Sequence, residues 1–398
     1  MTLRCPVFDR RSWHRVLVLS VVISAATAFT AAWRSAPPEF PRYERTLLLE
    51  TTSETSANIS FGDVDGDGLL DIVLAKGRHW PLVDQVLLGD GAGGIRRRYD
   101  LGSASDKSYS GRLVDLDGDG DLDVVISNDQ PSPKLVYLND GKGHFTVGSE
   151  YGLPAWPMRN ATVADMNGDG LPDIIAANRY GKVAGANYVC LNRGQGRFDA
   201  NCIPFSQEPA TTITAADFNG DGMPDLLVPH RNGGQGRLYL GARGADLTAM
   251  RAVPFGPADA QMRIAEAADF NGDHRTDIVT IDEKRGVALQ LGRGDGTFGA
   301  PMTLGDSTIT PYALTIGDLN CDGHMDIVAG NVTAPSAVFF NDGTGAHFTL
   351  VRFGDANGSA YGMAIADFNR DGIPDIGVAR SEAPNILYFG STTSGRCR

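Results

Sequence analysis

A nine-residue acidic motif recurs along the chain at nearly constant spacing. It reads DFNGDGMPD at residues 217–225, and its seven copies begin at Asp63, Asp115, Asp165, Asp217, Asp269, Asp318 and Asp367. Successive starts are separated by 52, 50, 52, 52, 49 and 49 residues. A period this regular predicts one architecture built from seven copies of a single unit.

Each unit carries the signals of four short β-strands. An alternating run such as ITAAD precedes the acidic loop, and an apolar run such as DIIAA follows it. A third run leads into a Gly-rich turn, as in VYLNDGKGHF, and a fourth run such as RFDANCIPF closes the unit. Four strands joined by Gly, Asn and Asp turns, with no helical periodicity, are typical of a propeller blade. The sequence therefore predicts an all-β protein, a seven-bladed β-propeller with four-stranded antiparallel blades.

The two ends of the repeat array complement each other. The last unit stops shortly after its third strand, NILYFG, whereas the segment YERTLLLE at 43–50 is a spare strand before the first unit. An open sheet edge would invite aggregation, so we expect the N-terminal strand to complete the last blade. This predicts a propeller domain at 42–391 and a C-terminal tail at 392–398.

The N-terminal segment has the pattern of an export signal. Arg4, Arg10, Arg11 and Arg15 precede an apolar stretch that runs from Val16 to about residue 32. Residues 1–32 are thus interpreted as a cleaved signal or as a retained membrane anchor, followed by a linker at 33–41. Either alternative predicts a secreted, periplasmic or cell-surface protein that contacts a membrane only through this segment.

Export would place the cysteines in an oxidising compartment. Cys5 lies in the signal, and Cys190, Cys202, Cys321 and Cys397 remain. An even number suggests disulfides. Cys190 and Cys202 flank one turn and are the candidate pair, which leaves Cys321 and Cys397 as the remainder.

The chain is acidic, with a formal net charge of −13. This charge argues against binding to the phosphate backbone of nucleic acids. It fits either solubility or cation binding, and the acidic loops favour the second.

The loops match the ligand preference of calcium, which takes six to eight oxygens in flexible geometry. Positions 1, 3 and 5 aim side-chain oxygens inward, Gly at position 6 allows a sharp turn, and Asp at position 9 can add two oxygens. A magnesium ion would demand a stricter octahedron and keep more of its waters. The candidate calcium ligands are Asp63, Asp65, Asp67 and Asp71; Asp115, Asp117, Asp119 and Asp123; Asp165, Asn167, Asp169 and Asp173; Asp217, Asn219, Asp221 and Asp225; Asp269, Asn271, Asp273 and Asp277; Asp318, Asn320, Asp322 and Asp326; Asp367, Asn369, Asp371 and Asp375.

The loops differ from a helix–loop–helix calcium site. None of the seven residues at position 12 is acidic, and β-branched residues follow where a helix would begin. The positions contain 23 carboxylates in all, and close pairs repel by about 1–4 kcal/mol near a surface. The alternative is that these loops are solvated turns without a metal. This alternative would explain a single copy better than it explains seven copies in register. We expect the first two loops to bind calcium most tightly, and the loops with His274 and Cys321 in place of Gly to bind least tightly.

The acidic loops and the Gly-rich turns together resemble those of a known protein family. The DxNGDGxxD loops and the YLNDGxGxF-type turns are similar to those of the FG-GAP/VCBS repeat family, whose propeller also forms the integrin alpha-subunit head. The resemblance spans all seven units and implies up to seven calcium ions on the lower face, in the loops between the first two strands of each blade. It also implies a role in adhesion, ligand binding or scaffolding, although some similar propellers belong to carbohydrate-active enzymes.

A ligand is expected on the opposite, upper face. Six residues before each loop, near the upper end of the first strand and roughly 20 Å from the calcium site, stand Ala57, Tyr109, Arg159, Thr211, Arg263, Tyr312 and Tyr361. Three Tyr and two Arg around a channel mouth would suit a sugar or an anionic group. Packing of the channel rim is the alternative role for these side chains. Loop residues that could extend the surface are Arg78, His79, Trp80, Trp156, Arg179, Tyr180, His230 and Arg231.

No sequence motif identifies a catalytic centre. The chain has no nucleophile elbow, phosphate loop or HExxH motif, and its histidines are scattered. We therefore interpret it as a non-catalytic binding or scaffold module for an extracellular carbohydrate or protein. The alternative is a polysaccharide lyase or hydrolase that uses Tyr, His or Arg on the upper face.

Overall fold

The structure is a computed structural model that describes residues 40–180, 185–306 and 310–393. The regular elements of these residues are β-strands and one 3-10 helix at Leu247–Ala249. The first strands are β1 (Arg42–Leu48), β2 (Ser56–Gly62), β3 (Asp71–Lys76), β4 (Gln85–Gly89), β5 (Ile95–Asp100), β6 (Ser108–Val114), β7 (Asp123–Asn128), β8 (Leu135–Leu138), β9 (Thr146–Glu150), β10 (Met158–Ala164), β11 (Asp173–Asn178), β12 (Asn187–Cys190), β13 (Ile203–Ser206) and β14 (Thr214–Ala216). The remaining strands are β15 (Asp225–Val228), β16 (Gly236–Leu240), β17 (Arg251–Phe255), β18 (Met262–Ala268), β19 (Asp277–Asp282), β20 (Gly286–Gln290), β21 (Met302–Leu304), β22 (Pro311–Gly317), β23 (Asp326–Asn331), β24 (Ser336–Asn341), β25 (Phe348–Phe353), β26 (Ser359–Ala366), β27 (Asp375–Ser381) and β28 (Ile386–Ser391).

These strands form seven antiparallel sheets of four strands each. Six sheets use consecutive strands, from β2-β3-β4-β5 to β22-β23-β24-β25, and the seventh has the order β1-β28-β27-β26. The predicted seven-bladed propeller is therefore confirmed, and so is its closure by the N-terminal strand. In the closing pair, Arg42 lies opposite Ser391 and Leu48 opposite Ile386.

The hydrophobic core lies between neighbouring blades. The second strand of every blade is buried along its whole length, because side chains on both of its faces meet a flanking sheet. Between the first two blades, for example, Val73 and Val86 pack with Val124 and Ile126. Full burial of one such side chain is worth about 1.5–3 kcal/mol, so these layers fasten each blade to the next.

A set of hydrogen bonds joins the first strands around the central channel. In four blades, the residue three positions before the acidic loop donates from its side chain to a carbonyl oxygen in or just before the first strand of the next blade. These bonds join Ser60 to Gly111 (2.7 Å), Arg112 to Ala161 (3.1 Å), Thr162 to Ile213 (2.5 Å) and Thr214 to Ala265 (2.6 Å). They fix the spacing of the first strands, and therefore the width of the channel.

Cys190 and Cys202 form a disulfide that links the end of β12 to the residue before β13. The predicted export segment, residues 33–39 of the predicted linker, and Cys397 lie outside the described residues. Within the described part of the chain, no helix has the length and apolar character needed to span a bilayer.

The closing blade is tied to the first blade by a buried ion pair. The Lys76 ammonium lies 2.6 Å from a Glu50 oxygen, and both side chains are 3% exposed. The other Glu50 oxygen accepts the backbone N–H of Asn385, 3.2 Å away. Glu50 follows β1, so this pair holds the N-terminal strand in the ring.

Glu50→Gln should therefore lower the free energy of unfolding by about 1.5–3 kcal/mol, because it removes one of the two carboxylates that pair with the buried Lys76 ammonium, the other being Glu54 at 2.8 Å. Urea denaturation of the purified protein measures this change. The control is Glu44→Gln, which alters an exposed carboxylate 3.9 Å from Arg42. Equal stability of the two variants would contradict a closing role for the buried pair.

Candidate functional site

Each acidic loop joins the first and second strands of its blade, and its last aspartate is the first residue of the second strand. The seven aspartates at this position have no exposed surface: Asp71, Asp123, Asp173, Asp225, Asp277, Asp326 and Asp375. The lower face of the propeller is defined here by these loops.

The last aspartate binds two separate pieces of backbone in every blade. One carboxylate oxygen accepts the N–H of the second loop residue, as in Val64 to Asp71, at 2.9–3.0 Å across the seven blades. The other oxygen accepts an N–H at the end of the third strand, as in Gly89 to Asp71, at 2.7–2.9 Å. This structural role was not predicted from the sequence, which suggested only metal binding.

Burial destabilises the ionised form of these carboxylates. It raises the pKa of Asp71 to about 6 and that of Asp326 to about 7, although the two backbone N–H groups counteract it. The other aspartates of the same loop also raise these pKa values. Each loop therefore concentrates negative charge that a bound cation would stabilise.

The first aspartate of each loop closes the turn. In the first loop, Asp63 accepts the N–H groups of Gly66 and Gly68, each at 2.8 Å. His274 has a φ of 63° at the same turn position as Gly68, and its N–H lies 2.7 Å from Asp269. Cys321 and Arg370 also adopt positive φ, at 56° and 59°. The substituted loops thus keep the common conformation, at a backbone cost that glycine avoids.

The carboxylates of the first two loops are close enough to share one metal ion. In each of these loops, three aspartates offer oxygens within 4.8 Å of one another: Asp63, Asp65 and Asp71 in the first loop, and Asp115, Asp117 and Asp123 in the second. The last aspartates accept one hydrogen bond on each oxygen, and each oxygen has a further lone pair for a metal. Together with the aspartate at position 5, this donor set fits calcium.

Arg96 distinguishes the first loop from the second. It lies on the outer strand β5, and its guanidinium is 2.5 Å from Asp65 and 2.7 Å from Asp67. Across the described chain, no such ion pair reaches the second loop. In four of the loops with Asn at position 3, the Asn amide instead donates to the aspartate at position 5 at 2.9–3.0 Å.

The Asn of the Gly-rich turn connects neighbouring blades. Its side-chain amide donates to the carbonyl of the second loop residue in the preceding blade. These bonds join Asn139 to Val64 (2.8 Å), Asn192 to Leu116 (2.8 Å) and Asn341 to Phe270 (2.7 Å). In these three blades, the Asn of the Gly-rich turn therefore stabilises the acidic loop of the preceding blade.

On the opposite, upper face, the channel opens into a cavity of about 410 Å³. The structure brings all seven positions six residues before the loops into its wall: Ala57, Tyr109, Arg159, Thr211, Arg263, Tyr312 and Tyr361. Arg78, His79, Arg179 and Arg231 join them from the loops above. We call this cavity the upper pocket.

The remaining loop residues named from the sequence lie elsewhere. Trp80 is 68% exposed beside the upper pocket, whereas Trp156 is only 5% exposed and stacks on Tyr188 with ring centroids 4.1 Å apart. The expectation that Trp156 extends a ligand surface is therefore wrong, because this ring packs in the core. Tyr180 and His230 are not part of the pocket wall.

Two charged residues of the pocket wall were missed in the sequence. Arg112 and Glu266 lie three residues before their loops, deeper in the channel than the predicted ring. Burial raises the pKa of Glu266 to about 7, and the charge of Arg112 opposes this rise. Both residues lie three positions before an acidic loop, where the other blades have Ser, Thr or Ala. This shared position is the sequence signal that could have identified them.

Guanidinium groups cover the tyrosine rings of the pocket. The Cζ atom of Arg263 lies 3.0 Å from the ring centroid of Tyr312, that of Arg78 lies 3.5 Å from Tyr361, and that of Arg159 lies 4.3 Å from Tyr109. The predicted tyrosines and arginines therefore do meet, but largely with one another. Ring faces used in this way are less available for stacking on a sugar.

Tyr312 stands at the centre of the positive charge. Its hydroxyl oxygen accepts from Arg78 at 3.3 Å and from Arg231 at 3.5 Å. Burial alone would raise the pKa of Tyr312, but the positive charges of Arg263, Arg78 and Arg231 outweigh it and lower the pKa to about 8. Burial lowers the pKa of Arg263 to about 9, which leaves its guanidinium charged at neutral pH.

Comparison with known structures shows the same architecture in proteins of very different sequence. The lectin BP39L from Burkholderia pseudomallei matches with a TM-score of 0.63 and 15% identity, over 86% of this chain and 98% of the lectin. BBS1N, solved in complex with ARL6DN, matches with a TM-score of 0.60 and 10% identity, over 91% of this chain and 100% of BBS1N. At these identities the likeness concerns the fold alone.

Comparison of sequences gives the family of the repeats. No curated protein sequence matches the chain. The family described as FG-GAP-like repeat matches residues 115–176, 165–228 and 269–329, which include acidic loops two to six. Residues 115–228 and 269–329 therefore match FG-GAP-like repeats, the family that the acidic loops and Gly-rich turns predicted.

Proposed function

We propose that this protein is an exported, calcium-stabilised propeller that acts as a non-catalytic binding module, with the upper pocket as its ligand site. The observation that carries the proposal is the convergence of seven equivalent positions, one from each blade, on a single cavity. Five of the seven side chains are large and polar, the exceptions being Ala57 and Thr211. They include the tyrosines and arginines that bind ligands through directed hydrogen bonds.

The shape of the upper pocket favours a carbohydrate over a protein as the ligand. A concave cavity of about 410 Å³ is within the range of small-molecule sites. Protein partners generally bury a broader surface, of roughly 800 Å² on each side. The likeness to a lectin supports carbohydrate binding by analogy of fold, and the BBS1N complex supports protein binding in the same way.

Calcium enters the proposal as a structural ion. The donor set would be the side-chain oxygens at positions 1, 3, 5 and 9 of each loop, and the ion would neutralise the carboxylates gathered there. The second loop, with four aspartates and no arginine ion-paired to it among the described residues, is the strongest candidate. The first loop is weaker than its four aspartates suggested, because Arg96 already contacts two of them.

Export is supported by two independent features. The N-terminal arginines followed by an apolar run have the pattern of a signal, and the Cys190–Cys202 disulfide suits an oxidising compartment.

Removal of calcium by a chelator should lower the melting temperature of the purified protein markedly. Each site would contribute about 2.7 kcal/mol at a calcium concentration a hundredfold above its dissociation constant. Calorimetry with and without chelator measures the shift. The shift should shrink in Asp119→Asn, which removes the carboxylate that all seven loops share at position 5, and persist in Asp295→Asn, which changes an exposed aspartate of a Gly-rich turn. An identical melt with and without chelator would rule out structural calcium.

Substitution of a pocket arginine should abolish ligand recognition without unfolding the protein. We expect binding to a glycan array in the wild type and its loss in Arg231→Ala, whose guanidinium contacts Glu283 and Tyr312 in the pocket. The matched control is Arg251→Ala on the exposed outer strand β17. Binding only to extracellular proteins in a pull-down would favour a protein ligand, and equal binding by both variants would exclude the upper pocket.

A second candidate function is catalysis on a polysaccharide, and Tyr312 is the observation that favours it. A phenol whose pKa is lowered to about 8 can act as a general base near neutral pH. A lyase or hydrolase would need such a group within the ligand pocket.

The titration of Tyr312 can be measured directly by ultraviolet difference spectroscopy. We expect one tyrosine to ionise at about pH 8, and this signal should be absent in Tyr312→Phe. Tyr109→Phe should retain it, because burial raises the pKa of Tyr109. Absence of any early transition in the wild type would contradict the arginine environment, and polysaccharide turnover lost only in Tyr312→Phe would establish the enzyme.

A further inference from the structure

The upper pocket has the opposite charge to the rest of the protein. The chain has a net charge of −13, yet six arginines line this single cavity: Arg78, Arg112, Arg159, Arg179, Arg231 and Arg263. Among the residues that the structure describes, three carboxylates interact with them. Asp129 pairs with Arg159 at 2.6 Å, Glu283 is shared by two arginines, and Glu266 faces the channel. The excess positive charge is costly unless something negative occupies the pocket.

Arg78 is held at the centre of this charge by an unusual backbone. Its φ is 48°, a left-handed conformation that is strained in a residue other than glycine. Gly77 before it has a φ of 101°, and a Cβ there would lie 2.4 Å from the carbonyl oxygens of Asp106 and Trp80. This turn places the Arg78 guanidinium 3.5 Å from the ring centroid of Tyr361 and 5.7 Å from that of Tyr312.

The pocket also contains hydrogen-bond donors without a partner. The Arg263 side chain lines the cavity but the residue is only 4% exposed, and its Nη1 has no hydrogen bond. The nearest carboxylate oxygen, from Glu283, is 3.6 Å away. The Tyr312 oxygen already accepts from two arginines, so its O–H remains free to donate. A buried donor left without an acceptor is destabilising, and an anionic ligand would supply the missing acceptor.

Resting on the proposed binding function, we propose that the ligand of the upper pocket is an acidic sugar whose carboxylate lies between Arg78, Arg231 and Arg263. Guanidinium groups match a carboxylate with two parallel hydrogen bonds, which gives both affinity and orientation. The Tyr312 O–H supplies a further donor to the same group. A neutral sugar would satisfy these donors less well and would find few open ring faces, since the arginines already cover them.

The size of the cavity distinguishes an acidic sugar from a larger polyanion. A volume of about 410 Å³ is suited to a small ligand or to one end of a chain. Nucleic acids are bound along extended basic surfaces rather than in one enclosed pocket on an acidic protein.

Isothermal titration calorimetry with D-glucuronate and D-glucose tests this inference on the full-length protein. We expect saturable binding of glucuronate, at least tenfold weaker binding of glucose, and loss of glucuronate affinity as salt is added. Arg78→Gln and Arg231→Gln should each weaken glucuronate binding by about tenfold or more, the effect of one charge-assisted hydrogen bond. Arg251→Gln, which removes the same charge from an exposed strand, should leave it unchanged.

The possible outcomes distinguish failure of the acidic-sugar proposal from failure of the proposed carbohydrate-binding function. If glucose binds as tightly as glucuronate and Arg231→Gln weakens both, the pocket binds carbohydrate but the acidic requirement is wrong. If neither sugar binds, or if glucuronate binding is the same in all three variants, the acidic-sugar site is overturned. Melting temperatures of the variants show whether Arg78→Gln has altered the fold. Arg231 is only partly buried, so Arg231→Gln serves as the second variant.

Discussion

The fold depends on a single buried carboxylate that is repeated in every blade. The last aspartate of each acidic loop accepts one N–H from the loop and another from the end of the third strand. Without it, two buried backbone donors would be left unsatisfied, each at a cost of about 1–3 kcal/mol. The same side chain therefore connects the first, second and third strands of its blade. It also places the loop where the Asn of the next blade can bind its carbonyl, as Asn139 binds Val64.

This arrangement separates stability from recognition. The repeated chemistry of the lower face holds each blade in the same geometry, whatever residues stand at the upper ends of the strands. Those ends differ from blade to blade, and the ring brings them together around one channel. The upper pocket thus combines tyrosines and arginines that lie far apart in the chain, as Arg78 and Tyr312 do. An acidic protein can in this way present a basic cavity.

Much of the fold could be predicted because its determinants are local. The spacing of the acidic loops, the alternation of the strands and the spare strand at 43–50 indicated both the blade number and the closure by β1. Counting back six residues from each loop also identified positions that share the pocket wall, since the same number of extended residues leads from each loop to the upper face. This approach failed for Trp156, because a loop residue can turn either to the surface or into the core.

The sequence by itself determined the repeat, the chemistry of the turns and the residues that every blade contributes to the channel. Only the tertiary structure decided which of these side chains meet: Arg96 with the first acidic loop, Glu283 with two arginines of the pocket, and Arg78 with three tyrosines. The physical reason is the separation along the sequence of the residues that interact. Strands and turns depend on residues a few positions apart, whereas contacts across the channel exist only after the ring has closed and have no periodicity that the sequence could display.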